Sequence, residues 1–177
     1  MAETVRTRAE ILALLADNTA GAISPQDIRD AIVSIFGVSA ALYVADGSTS
    51  QAGITTTPVK MTGFTNNVTG VGGMTPDHTD DSIEVPIDGD YLFLAQIAAS
   101  GSFNQAFEIH AYIDGSPTPF GTHRKWSAGG DEGSAVIIAP LYGMTAAEKV
   151  TLYVNTTPSG TGQITPIDMQ LFGIKMS

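Results

Sequence analysis

The residues best suited to chemistry in this 177-residue chain are three histidines, His78, His110 and His123, and the acidic run DHTDD at 77–81. Oxygen ligands from a loop such as Asp77, Asp80 and Asp81 could hold Ca²⁺, with His78 nearby. The spacing of a calcium loop is absent, so a solvated acidic turn accounts for the run. No metal and no cofactor are expected. HRKW at 123–126 is the basic cluster and carries the sole Trp. An exposed Trp126 stacks well on apolar sugar faces, so His123, Arg124, Lys125 and Trp126 are candidates for a surface-binding site. They read equally as an edge strand whose Trp packs inward while its charges guard the edge.

His110 falls beside Glu108 and Tyr112 on the wet face of a strand and reads as a surface residue. GVGG at 70–73 precedes no helical pattern and is not a phosphate loop. No Gly-x-Ser-x-Gly elbow occurs, and no carboxylate pair of the kind a glycan-cleaving enzyme needs stands out. The expectation is a protein that is not an enzyme.

Composition narrows the partners. The formal net charge is −10, with 8 Lys plus Arg. Nucleic acid and anionic membranes would be repelled, so neither is an expected partner. There is no Cys, which removes disulfides and thiolate metal sites. No apolar run reaches the ~18 residues of a membrane span, and the short apolar stretch after Arg6, Arg8 and Glu10 does not read as a signal peptide. With 43% hydrophobic residues the chain can build a core. Its 19 Gly and 9 Pro suit short strands joined by tight turns.

The elements that must position these residues fall into two parts. Residues 1–37 carry helical periodicity. Ile11, Leu14 and Leu15 mark one face of a first helix. Ser24 and Pro25 open a second, Ile28, Ala31, Ile32 and Ile35 form its apolar stripe, and Gly37 closes it. So small a hairpin must dock its apolar faces on something larger. Ile11, Leu15, Ile28, Ile32 and Ile35 are the docking candidates.

From residue 38 to 177 the period is two. Turn signals such as Asp46-Gly47, Gly72-Gly73, Asp88-Gly89 and Asp114-Gly115 separate strands expected at 41–45, 54–64, 82–87, 91–98, 105–113, 119–126, 134–141, 149–155 and 164–176. Residues 66–81 read as an ordered surface loop. So many strands at this spacing make a sandwich or barrel.

Three strands, at 82–87, 105–113 and 149–155, are apolar on one side. Three others are apolar on both. In 91–98, Tyr91, Phe93, Ala95 and Ile97 oppose Leu92, Leu94 and Ala98; in 135–142, Ala135, Ile137 and Leu141 oppose Val136, Ile138 and Tyr142; near the end, Met169 and Leu171 oppose Phe172, Ile174 and Met176. An antiparallel jelly roll puts the first three in one sheet and the second three in the other. The second sheet then has an apolar outer face, which self-association would cover.

The stretch EVPIDGDYLFLAQI resembles a corner of the complement-type and tumour-necrosis-factor-like trimeric jelly rolls, with Gly89, Tyr91 and Phe93 in the Gly-x-Tyr-x-Phe positions. TPVKMTGFTNN and the closing LFGIKMS are similar to further strands of these families; MTAAEK stands where they carry Leu-x-x-Gly-Asp. The resemblance spans residues 56–177. It implies a homotrimer and points to Leu92, Leu94, Gln96, Met169 and Leu171 as residues lining its axis.

LLADNTAGAISPQDIRDAIVSIFG resembles a short helical module near the start of bacteriophage structural proteins: Asp-Asn, then Gly-x-Ile-Ser-Pro-Gln, then Ile-Arg-Asp. Together the two resemblances imply a virion protein assembled in the host cytoplasm. Such a protein is a capsid-surface fibre or decoration protein that docks on the major capsid or another virion protein through residues 1–37. A tail fibre tip contacting a host-surface glycan or protein is the alternative. A soluble complement-type recognition module is the alternative of another class.

Overall fold

In the computed structural model, residues 37–101, 105–125, 132–157 and 160–176 are described, with Glu10 and Ile28 from the preceding segment. Among these described residues twelve strands build two antiparallel sheets. They are β1 (Ser39–Val44), β2 (Gln51–Ile54), β3 (Val59–Lys60), β4 (Asn66–Val71), β5 (Thr75–Asp77), β6 (Ser82–Glu84), β7 (Gly89–Gly101), β8 (Ala106–Ile113), β9 (Ser116–Lys125), β10 (Glu132–Met144), β11 (Lys149–Thr157) and β12 (Gly162–Lys175). The first sheet runs β10-β7-β12-β1-β4, with β2 also paired to β12; the second runs β5-β6-β11-β8-β9, with β3 also paired to β11. The expected sorting holds. The one-sided strands β6, β8 and β11 share a sheet, and the two-sided strands β7, β10 and β12 share the other.

The core lies between the sheets. Tyr91, Phe93, Ile97, Leu42 and Ile137 enter it from the first sheet, and Ile83, Phe107, Ile109, Leu152 and Val154 from the second. The Tyr91 hydroxyl donates to the Ile87 carbonyl at 2.8 Å, so its polar tip is satisfied inside, and burial pushes its pKa up to about 12. Asp114 and Gly115 both have positive φ, at 46° and 77°, and Ile113 pairs directly with Ser116. This two-residue turn matches strand twist and fixes the β8–β9 register.

Two expected elements differ. The run 54–64 is not one strand. It divides at residues 55–58, where Pro58 interrupts the ladder, into β2 in the first sheet and β3 in the second. The run 66–81 is not a loop, since it contains β4 and β5. β4 is an edge strand with almost every residue exposed, so it carries no inside–outside alternation to read.

Candidate subunit interface

The outer face of the first sheet is built by register. Across five strands, Ile138, Leu94, Phe172, Ala41 and Val68 stand in one row. Pro140, Leu92, Ile174, Ser39 and Val71 form the next. On the other side Val136, Gln96, Gln170, Tyr43 and Asn66 form a third. At strand spacing each row is about 19 Å wide. Ile138 is 62% exposed and Tyr142, further along β10, 73%. No residue of these three rows carries a formal charge, and carboxylates begin beyond them, at Asp168 opposite Ala98. Isolated exposed apolar side chains are ordinary; two adjacent and almost wholly apolar rows across one sheet face are not.

Leu92, Leu94 and Gln96 lie on this face. Met169 and Leu171 do not. They are buried in the sandwich core, 0% and 1% exposed, in register with the inward residues Ile97 and Ala95. Their places on the outer face are taken by Gln170, Phe172 and Ile174. β12 is apolar on both sides, so period two marks its two faces without saying which turns inward. Of the docking candidates in the N-terminal segment, Ile28 is described, as helical and exposed; Ile11, Leu15, Ile32 and Ile35 lie outside the described residues.

The second sheet turns a polar face outward. Tyr112 stacks on Tyr153 with ring centroids 4.0 Å apart. The acidic run is absorbed here. Asp80 Oδ1 accepts from Lys60 Nζ at 2.8 Å, and Oδ2 accepts from Lys149 Nζ at 3.0 Å and from Ser82 Oγ at 3.0 Å. These partners, Lys60 first, hold its carboxyl well below the usual range. Asp81 Oδ1 accepts the backbone N–H groups of Phe64 at 3.0 Å and Gly63 at 3.2 Å, while burial pushes its pKa up. Asp77 caps the turn through Thr79 and the Asp80 N–H. These carboxylates fasten β3, β6 and β11 together. Among the described residues, no group of three or more His, Asp or Glu converges as metal ligands would.

His123, Arg124 and Lys125 sit exposed at the end of β9, an edge strand of the second sheet that lies against β10. His123 Nε2 is 3.1 Å from Thr157 Oγ1. Trp126 lies outside the described residues. A cavity of about 200 Å³ opens between the β1–β2 turn and Pro166, with Asp46, Ser48, Thr49 and Thr65 in its wall.

A pair of packed sheets like this one has counterparts among solved structures. Eiger TNF from S. frugiperda superposes with a TM-score of 0.50 at 14% identity, over 80% of this chain and 93% of that one. The globular domain of zebrafish complement 1qA protein does so with a TM-score of 0.50 at 12% identity, over 79% of this chain and 98% of that one. The fold is a complement- and tumour-necrosis-factor-like jelly roll. No family model matches the sequence, and no curated protein matches it. At such identities the likeness is one of fold; in this jelly roll, the apolar outer face of β10, β7 and β12 is a property of this chain's own residues.

Proposed function

We propose that this protein is a non-enzymatic structural protein of a virus particle: a homotrimeric capsid-surface fibre or decoration protein. Residues 1–37 attach it to the particle, and the jelly roll is the displayed head. The observation that carries the trimer is the charge-free apolar face spanned by Ile138, Leu94, Phe172, Ala41 and Val68. Copies of a chain with net charge −10 repel one another over most of their surface. This face is where they can meet without opposed carboxylates, burying apolar area at about 25 cal/mol per Å². Attachment to a particle is supported by the pattern from Asp17 to Asp30, which resembles the phage structural module.

The test is sedimentation of the full chain at micromolar concentration, followed by particle loading with and without residues 1–37. A trimer that loads only with those residues supports the reading. A well-folded single chain removes the trimer, and loading by the truncated chain removes the anchor.

A host-contacting tail tip is the second reading. It is favoured by the exposed basic group His123, Arg124 and Lys125 on an edge strand of an acidic chain. Labelling the protein on intact particles separates the two by position.

A further inference from the structure

Gln96 and Gln170 stand opposite one another in the β7–β12 ladder, and Val136 flanks Gln96 from β10. Both are exposed, and neither amide makes a hydrogen bond among the described residues. They interrupt the apolar face immediately beside the row of Ile138, Leu94 and Phe172.

We propose that the Gln96–Gln170 pair is the specificity element of this face: it meets the same pair on neighbouring copies of this chain and fixes their register. The inference rests on the self-association reading above. A primary amide offers two N–H donors and a carbonyl acceptor, so it is complementary to a copy of itself; a lysine or an aspartate is not. That self-complementarity, on a charge-free face of a chain with net charge −10, selects a second copy of this chain over an unrelated partner.

Register follows from desolvation. Once the face is covered, an amide without a partner is a buried unsatisfied group, which is costly. Sliding one copy by two residues one way, about 7 Å along a strand, sets the amides against Leu94 and Phe172, neither of which accepts or donates a hydrogen bond. Sliding it the other way sets them against Ala98, which offers no partner, and Asp168, whose carboxylate is costly to bring under a covered face. Apolar residues alone would tolerate such slips, because apolar attraction is not directional. Polar groups set in an apolar seam act this way in helical assemblies, where they cost stability and select one register and one copy number.

The test uses the full chain with Gln96→Leu, Gln170→Leu and both together, read by sedimentation velocity and native mass spectrometry, with Ile138→Asp as a control on the face itself. The substituted positions are exposed in the single chain, so folding is preserved. Each single change strands the opposite amide and weakens association about tenfold, the equivalent of one unsatisfied buried polar group. The double variant regains the lost affinity but populates more than one stoichiometry. Single-variant losses that simply add in the double, or variants that all keep the parent's affinity and single stoichiometry, overturn the proposal while self-association stands. If the parent chain is monomeric, or Ile138→Asp leaves its association untouched, self-association through this face fails and the inference falls with it.

Discussion

Gly173 lies directly opposite Phe93 across the β7–β12 ladder, and the Phe93 ring fills the space a side chain at 173 would need. A Cβ built there would be 2.5 Å from Phe93 Cε1 and 3.0 Å from Met74 Cε. Phe93 is 1% exposed and has nowhere to retreat. Gly173→Ala therefore costs about 1–3 kcal/mol of overpacking, seen as a lower urea midpoint with an unchanged slope.

The two sides of the first sheet respond differently to substitution. Met169→Ala and Leu171→Ala open cavities in the sandwich core and cost about 2–5 kcal/mol each. Ile138→Asp changes an outward residue that is 62% exposed, leaving single-chain stability nearly unaltered, within about 0.5 kcal/mol, and abolishing association. Thermal unfolding at high dilution together with sedimentation distinguishes the two. Loss of association without loss of stability in Met169→Ala would contradict its inward placement.

Neighbouring carboxylates carry opposite pH signatures. The folded pKa of Asp80 is depressed by Lys60 and then Lys149 below the ordinary carboxylate value of 3.8. Its contribution is present above that value and is lost as pH falls through the folded pKa. With 43% of the side chain exposed, the ion pairs contribute at most about 1 kcal/mol. Asp80→Asn is thus destabilised near neutral pH and converges on the parent in strong acid. Asp81 is raised by burial above 3.8, so the folded state holds its proton after the unfolded state has released it. Stability falls as pH rises from 3.8 through the folded pKa, and Asp81→Asn removes that fall. Denaturant midpoints across the acid range test both signs.

The β8–β9 turn gives a backbone prediction. A Cβ at Gly115 would have room, its nearest neighbour being Tyr153 Oη at 3.8 Å, yet φ is +77°. Gly115→Ala loses about 1–2 kcal/mol through left-handed backbone geometry alone. Gly115→Asn loses less, because its side chain tolerates that region. Chemical denaturation of the two variants side by side gives the ranking.

The sorting of strands into sheets was legible because burial writes itself as period two. Ile83 and Val85 alternate with polar neighbours, while Leu94 and Val136 do not. The same logic fails on β12. Met169, Leu171, Phe172 and Ile174 are all apolar, so only the ladder to β7 says which pair faces the core. The bulge between Pro166 and Asp168 further breaks the count along that strand. β4 was invisible for the converse reason: Asn66, Asn67 and Thr69 are exposed on both sides of an edge, where backbone pairing with β1 makes the strand. The acidic run carried no sign that Lys60 and Lys149, far away in the chain, would claim Asp80.

β12 follows every other described strand, yet it sits in the middle of its sheet, between β7 and β1. Until it arrives, β7 and β1 have no ladder between them, and their inward faces lack Met169 and Leu171. Most of the domain can therefore leave the ribosome before the first sheet can close, and closure joins segments separated by most of the sequence, a slow class of folding event. Premature termination before Gly162 would release two open strand edges and a bare apolar surface, so synthesis exposes a hazard that the finished sandwich conceals.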